Sequence, residues 1–285
     1  VFGIVATMSL TLVIMAAGIG SRFGGTKQLA EVGPDGEAFL DFAILDAAAA
    51  GIDDVVIIVR TDIEDDIRRH VDRRHGDRSI RYVRQDELGP ARAKPWGTGH
   101  AVLAAAPLVA GDFIACNADD YYGRSTYAAV AHAAEGMGPD RAYLAGFRLD
   151  RTLPDTGEVS RGVCAVDGDG ELVSLVETHG IGRRTDGTIT ATDPAGPLAD
   201  DTVISMNLWA FPHRLFDALS DGWDRFHAES GHEERSEFLL PTVVHELRAA
   251  GELTVGVVPT EEAWVGVTNP DDLAIARHRI AEMRA

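Results

Sequence analysis

Residues 12–29 read LVIMAAGIGSRFGGTKQL, and no other stretch constrains the chain as much. Residues 12–15 are a short apolar run of the kind that makes a buried strand, and the glycines behind it let the backbone turn sharply and approach a ligand. A strand running straight into a glycine-rich loop predicts a phosphate-binding turn. Arg22 lies inside the loop and Lys27 just after it, so two cations stand beside the loop's main-chain N–H donors. Together they suit a triphosphate. Two other readings use the same residues. Gly18, Gly20 and Gly24 also fit a dinucleotide-binding fingerprint, but such a loop passes directly into a helix. Here Gly24, Gly25, Thr26 and Lys27 prolong it, VGPDG at 32–36 adds another turn, and the next strand ends at Arg60, where an NAD site wants an acid and only NADP suits arginine. A purely structural turn leaves Arg22 and Lys27 unexplained.

The elements that follow alternate. Residues 38–50 (AFLDFAILDAAAA) have helical spacing and stop at Gly51. The run VVIIV at 55–59 is continuous and β-branched, as in a central parallel strand covered on both faces. Residues 63–75 read as a charged, exposed helix, 80–84 as a third strand, 100–106 as the next helix, and 113–116 as a fourth strand entering NADDYYG. This alternation predicts an α/β fold with a doubly wound, mostly parallel sheet and ligands at the carboxyl ends of its strands. From Arg141 the rhythm changes. Residues 162–166 and 171–177 flank DGDG and read as a hairpin. Residues 178–201 are polar and rich in glycine and threonine, which predicts a mobile loop or lid. A strand at 203–211, helices at 212–226 and 237–250, a strand at 253–258 and a helix at 271–283 complete the chain.

At 285 residues the chain suits one large domain, 1–285, and neither a linker nor a repeat divides it. A formal net charge of -19 argues against nucleic acid or an anionic membrane as partner. An anionic small substrate then needs a local basic pocket or a metal ion. The two cysteines, Cys116 and Cys164, lie in apolar strand-like runs without metal-ligand spacing, and are expected as buried free thiols in a reducing compartment. The apolar start at 1–20 has no basic region before it and is interrupted by the glycine loop, so it reads neither as a signal nor as a span. Met8 is the expected natural start, and a cytoplasmic protein the expected product.

Outside the loop, Asp119 and Asp120 stand just past an apolar strand, where carboxylates can hold magnesium. One of them alone can be explained as an N-cap for a helix at 124–135. Gln85, at a strand end, can bond a base edge, and Gly97, Thr98 and Gly99 let backbone approach that base; on spacing alone, Thr98 serves equally as a plain helix cap. The ten histidines form no catalytic pattern.

AAGIGSR and the later KQL resemble the sugar-nucleotide pyrophosphorylases, nucleotidyltransferases whose first strand runs into an AAGxGxR loop followed by a lysine. The resemblance covers most of the chain and is looser in its second half. It implies a Rossmann-like nucleotidyltransferase fold with a nucleotide-binding half at 8–140 and an acceptor-binding half at 141–285 that carries the hairpin and lid. It also implies nucleotide contacts from Ala16, Ala17, Gly18, Gly20, Ser21, Gln85, Gly97 and Thr98. Arg22 and Lys27 would act on the phosphates, Asp119 on Mg2+, and Asp120 falls where many members have asparagine, beside the acceptor. Gly162, Glu177 and Asn207 resemble acceptor-binding positions. The usual lysine after the glutamate is Thr178, which leaves Arg183 or Arg184 as the expected phosphate cation. Gly266 stands where a second metal-binding aspartate is usual, so the ion would rest on Asp119 and substrate phosphates, or draw in Asp271 or Asp272. The implied reaction moves a nucleotidyl group from an NTP to a sugar 1-phosphate, giving an NDP-sugar and pyrophosphate. A cyclitol phosphate, a polyol phosphate or phosphocholine keeps the same chemistry, and a nucleotide sensor without turnover is a further reading. Members often assemble as dimers or tetramers, so a homo-oligomer is expected.

Overall fold

The structure is a computed structural model that describes residues 10–18, 27–154, 157–267 and 272–284. The first half is built as its rhythm predicts: β1 (Thr11–Met15), α1 (Phe39–Ala49), β2 (Asp54–Val59), α2 (Glu64–His75), β3 (Ile80–Arg84), α3 (Thr98–Ala104) and β4 (Phe113–Asn117). A two-residue strand β5 (Asp120–Tyr121) and α4 (Arg124–Ala134) follow, then β6 (Arg141–Arg148), β7 (Val159–Val166), β8 (Leu172–Arg183), β9 (Ile189–Thr192), β10 (Ala195–Leu198) and β11 (Val203–Phe211). The chain continues with α5 (Leu215–Ser230), α6 (Leu240–Ala249), β12 (Thr254–Thr260), β13 (Val265–Gly266) and α7 (Asp272–Arg284).

The strand order is β10-β9-β8-β7-β11-β4-β1-β2-β3, and β6 pairs with both β11 and β12. β1, β2, β3 and β4 run parallel to one another, as β6 does to β12, whereas β11 pairs antiparallel with β4, β6 and β7, and β7 to β10 pair antiparallel in turn. The sheet is therefore mixed around a parallel core. Side chains alternate through it: Leu12 and Ile14 pack with Ile57, Ile114, Ile44, Val71 and Val130 on one face, and Val13 and Met15 with Val56, Phe113, Val102, Leu219 and Val244 on the other. Helices α1, α2 and α4 cover the first face and α3, α5 and α6 the second, which makes the sheet doubly wound. Each fully buried Leu, Ile, Val or Phe contributes about 1.5–3 kcal/mol, so both layers are needed to hold the strands in register.

Helix α1 is buried on two sides: Leu40, Ile44 and Ala47 face the sheet, while Phe39 and Phe42 meet Tyr121, Val265 and Ile280. It thereby docks β5, β13 and α7 onto the rim beside Asp120.

The segment expected as a loop or lid is instead ordered strand. β8 runs past Glu177 to Arg183, and β9 and β10 pair with it in sequence. Composition does not announce these strands, because the segment 178–201 buries just three large or aliphatic side chains, Ile181, Ile189 and Ala191, a sparse signal among polar neighbours. Cys116 and Cys164 are free and buried, as expected, and burial pushes both thiols up to about 12. Among the described residues no helix is long and apolar enough to cross a membrane.

Candidate active site

Strands β2 and β3 lie on one side of β1 and β4 on the other. Such a reversal opens a crevice at the carboxyl ends of the strands. Met15 and Asn117 are register partners there, and the Ala118 N–H donates to Met15 O at 3.1 Å, so the loops after β1 and β4 leave together. Ala16, Ala17 and Gly18 begin the first loop. Buried Gln28 donates from Nε2 to Ala16 O (3.0 Å) and Gly18 O (2.7 Å). Arg60, just after β2, donates to Ala17 O (2.7 Å) and Gly18 O (2.9 Å). Three successive carbonyls are thus bonded to protein, which keeps their negative ends off an approaching anion. Gly20, Ser21 and Arg22 lie outside the described residues.

Lys27 returns to the same crevice, and its Nζ meets Asp119 Oδ2 at 2.5 Å, with the two side chains 17% and 32% exposed. Asp120 has a different environment. It is buried, its Oδ2 accepts from Asn117 Nδ2 at 2.8 Å, and it lies 3.3 Å from the Tyr122 hydroxyl. That hydroxyl has one proton and a closer acceptor in Met206 O at 2.9 Å. Burial, then the neighbouring Asp119 charge, raise the Asp120 pKa, in keeping with a carboxyl that carries a proton into this network. Asp119 is accordingly the open carboxylate. Neither acid caps α4, whose N-cap is Gly123.

A cavity of about 560 Å3 extends from Asp119. The cavity is lined by Ala17 and Gly18 from the loop, Gln85, Gly97 and Thr98 from the β3–α3 side, and Asn117 and Asn207 beside Asp119. Its size is in the usual range for a small-molecule site. Gln85 is buried and donates from Nε2 to Gly97 O (3.0 Å) and His100 Nδ1 (3.2 Å), which leaves its carbonyl oxygen as acceptor. Burial holds the His100 pKa down at about 4, so its ring is neutral and accepts at Nδ1. Gly97, at φ +105, is the N-cap of α3, and a Cβ there would lie 2.6 Å from Phe238 O. Thr98 does not cap the helix; its Oγ1 accepts from Leu240 N–H at 3.0 Å and ties α6 to this turn.

Asn207 sits at an irregularity of β11 between Ser205 and Trp209, with φ +61. Asparagine tolerates that left-handed conformation better than most residues. The irregularity places Asn207 on the cavity wall and turns Met206 O toward Tyr122. Gly162 and Glu177 are register partners in the β7–β8 ladder and do not line this cavity, although Gly162 also pairs with Ser205 at the start of the β11 irregularity. Arg183 is committed elsewhere: it donates to Gly187 O (2.8 Å) and pairs with Asp200 (3.0 Å), while Arg184 bonds Thr190 (2.6 Å). Neither lines the cavity, because both belong to the edge ribbon that replaces the expected lid. Gln28 and the hydrogen bonds of Arg60 to the loop were not foreseen; no local pattern announces a side chain that serves a loop distant in sequence.

Among the described residues no group of three or more His, Cys, Asp or Glu side chains forms a metal cage. Gly266 pairs with Asp120 across β13–β5, and a Cβ there would lie 2.3 Å from the Trp264 ring and 3.1 Å from Asp120 Oδ1. With the indole in place no carboxylate fits at 266. Asp271 lies outside the described residues, and Asp272 opens α7. Magnesium keeps several waters and often takes only one or two carboxylates plus substrate phosphates. Asp119 fits that arrangement.

The architecture is shared with solved nucleotidyltransferases. The inositol-1-phosphate CTP transferase of T. maritima superposes with a TM-score of 0.65 at 13% identity, over 97% of both chains. A protein of Bacillus anthracis assigned as a glucose-1-phosphate thymidylyltransferase, solved with sucrose, gives 0.66 at 14% identity over 95% of both. No significant match is found among curated proteins. Fold and site define an NTP-dependent nucleotidyltransferase. Residues 12–154, half of the chain, match the MobA-like NTP transferase domain, and the chain belongs to that family.

Proposed function

We propose that the protein transfers a nucleotidyl group from an NTP to a phosphorylated small acceptor, a sugar 1-phosphate or a cyclitol or polyol phosphate, and releases pyrophosphate. The observation that carries this reading is the Lys27–Asp119 pair, a cation and an open carboxylate at the strand-order reversal, beside a cavity flanked by Gln85 and Gly97. The two structural relatives, which by name act on inositol 1-phosphate and glucose 1-phosphate, support the acceptor class.

An oxygen of the acceptor phosphate would attack the α-phosphorus in line, forming the new P–O bond as the bond to the β-phosphate oxygen breaks. A phosphate is already ionised at neutral pH, so the attack needs no general base. What the protein must supply is position and charge. Lys27 would stabilise negative charge on the reacting phosphates, and Arg22 would bind the leaving pyrophosphate. Gln85 and the Gly97 turn would read the base, and Asn207 would face the acceptor. Asp119 would hold Mg2+, which neutralises phosphate charge when bound. The two buried thiols suit a cytoplasmic setting.

The test is pyrophosphate release with magnesium, crossing the common NTPs with sugar 1-phosphates, inositol phosphates and phosphocholine. A signal requiring one NTP and one acceptor is expected. NTP binding by calorimetry with no release across the panel would favour a nucleotide sensor, and no NTP binding would refute the reading altogether.

A further inference from the structure

Arg161 lies on β7 as the register partner of Thr178, next to the Gly162–Glu177 pair. Its guanidinium carbon sits 4.6 Å from the centre of the Trp264 ring, which itself covers Gly266, the partner of Asp120. Two backbone carbonyls hold it: one terminal nitrogen donates to Ser160 O at 2.9 Å and the other to Thr152 O at 2.8 Å. That spends two of five N–H donors. Nε is buried without a partner. No carboxylate among the described residues pairs with it; Asp120 and Glu177 act on it only through their fields, and burial lowers its pKa.

A cation partly withdrawn from water, with its Nε enclosed and no described carboxylate paired with it, is costly, and a ligand can supply the missing charge. Stacking on an indole and bonding to fixed carbonyls settle the plane of the guanidinium in advance, and its fork matches a phosphate dianion better than an ammonium does. Every other arginine of the edge ribbon that could serve is already bonded: Arg183 to Asp200 and Arg184 to Thr190.

We infer that Arg161, fixed on Trp264 beside Asp120, is the residue that binds the phosphate of the acceptor. The inference rests on the proposed function for the acceptor being phosphorylated. Thr178, directly across the ladder, has the position from which a second cation can reach the same phosphate.

The test uses the full chain with Arg161→Gln, Arg161→Lys and the double variant Arg161→Gln/Thr178→Lys. In pyrophosphate release, R161Q is expected to raise the acceptor KM roughly tenfold or more and leave the NTP KM within about twofold, as loss of a charged hydrogen bond does. R161K should fall between, and T178K should recover part of the loss. Thermal melting separates a packing role: R161Q should melt within roughly 2–4 °C of wild type, since removing an uncompensated charge offsets the loss of its two carbonyl hydrogen bonds. An acceptor KM unchanged within about twofold, or a lowered Tm with unchanged KM, overturns the inference. A second arm needs no turnover. Calorimetric titration with inorganic phosphate should show binding that weakens roughly tenfold in R161Q. Equal binding by both proteins, or none by wild type, also overturns it. If phosphate binding weakens while the acceptor panel stays silent, the anion site stands and the proposed function falls.

Discussion

Asp119→Asn separates the structural from the chemical role of the carboxylate at the centre of the site. Asparagine keeps the shape and an oxygen for Lys27 and removes only the charge. The Lys27–Asp119 pair is 2.5 Å long but partly open, 17% and 32% exposed. Such a pair contributes at most about 1 kcal/mol to folding. For a chain of this size that is a Tm change of roughly 2–4 °C. The chemical role is larger, because a carboxylate that holds a cation on transferring phosphates stabilises the transition state by several kcal/mol. Taking about 4 kcal/mol, kcat should fall roughly 1,000-fold. The assay is pyrophosphate release at saturating NTP, acceptor and magnesium, with a thermal melt of the same samples. A kcat within about tenfold of wild type would refute the assignment, and a large Tm loss would return Asp119 to a structural role.

Gly97→Ala should lower Tm by several degrees and raise the NTP KM, since the new Cβ meets Phe238 O at 2.6 Å with the backbone at φ +105, a cost of about 2 kcal/mol or more; unchanged melting and kinetics would contradict the close approach. Gln28→Leu removes the donors to Ala16 O and Gly18 O and should destabilise by about 1–3 kcal/mol while weakening NTP binding, as read by denaturant melts and calorimetry. Asp41, buried on α1, accepts from His70 and His75, each at 2.7 Å. Burial raises its pKa, but the two histidine hydrogen bonds outweigh that and bring it down to about 2, against 3.8 when free. A depressed carboxyl stabilises the fold above its unfolded value and loses that contribution on acidification, so about 2 kcal/mol should disappear between roughly pH 4 and pH 2. Asp41→Asn should flatten the melting curve in that window, and parallel curves for variant and wild type would reject the assignment.

The periodic parts of the fold were legible because burial on two faces leaves a direct imprint. VVIIV at 55–59 is apolar throughout because β2 is covered by helices on both sides, and LVIM at 12–15 enters a glycine loop because β1 ends at the crevice. The strand-end candidates Ala17, Gly18, Gln85, Gly97, Thr98 and Asp119 line one cavity because parallel strands carry their carboxyl ends to one edge. The segment 178–201, expected as a loop or lid, forms the end of β8 with β9 and β10. Its alternation is carried by a few buried side chains, and its pairing joins segments that local composition describes only as polar.

Residue types and their order along the chain determined the doubly wound core and the carboxylate at the end of the fourth strand. Which of two adjacent acids is open, and which cation is unpaired, was decided only by tertiary structure. Asp119 and Asp120 are neighbours in sequence, yet one meets Lys27 at the cavity and the other is enclosed by Asn117, Tyr122 and a β13 glycine. Arg183 and Arg161 are both strand arginines, yet Asp200 pairs with the first and, among the described residues, no carboxylate pairs with the second. Charge state and ligand capacity depend on desolvation and on partners that the fold brings from distant positions, and neither is a property of the residue or its immediate neighbours.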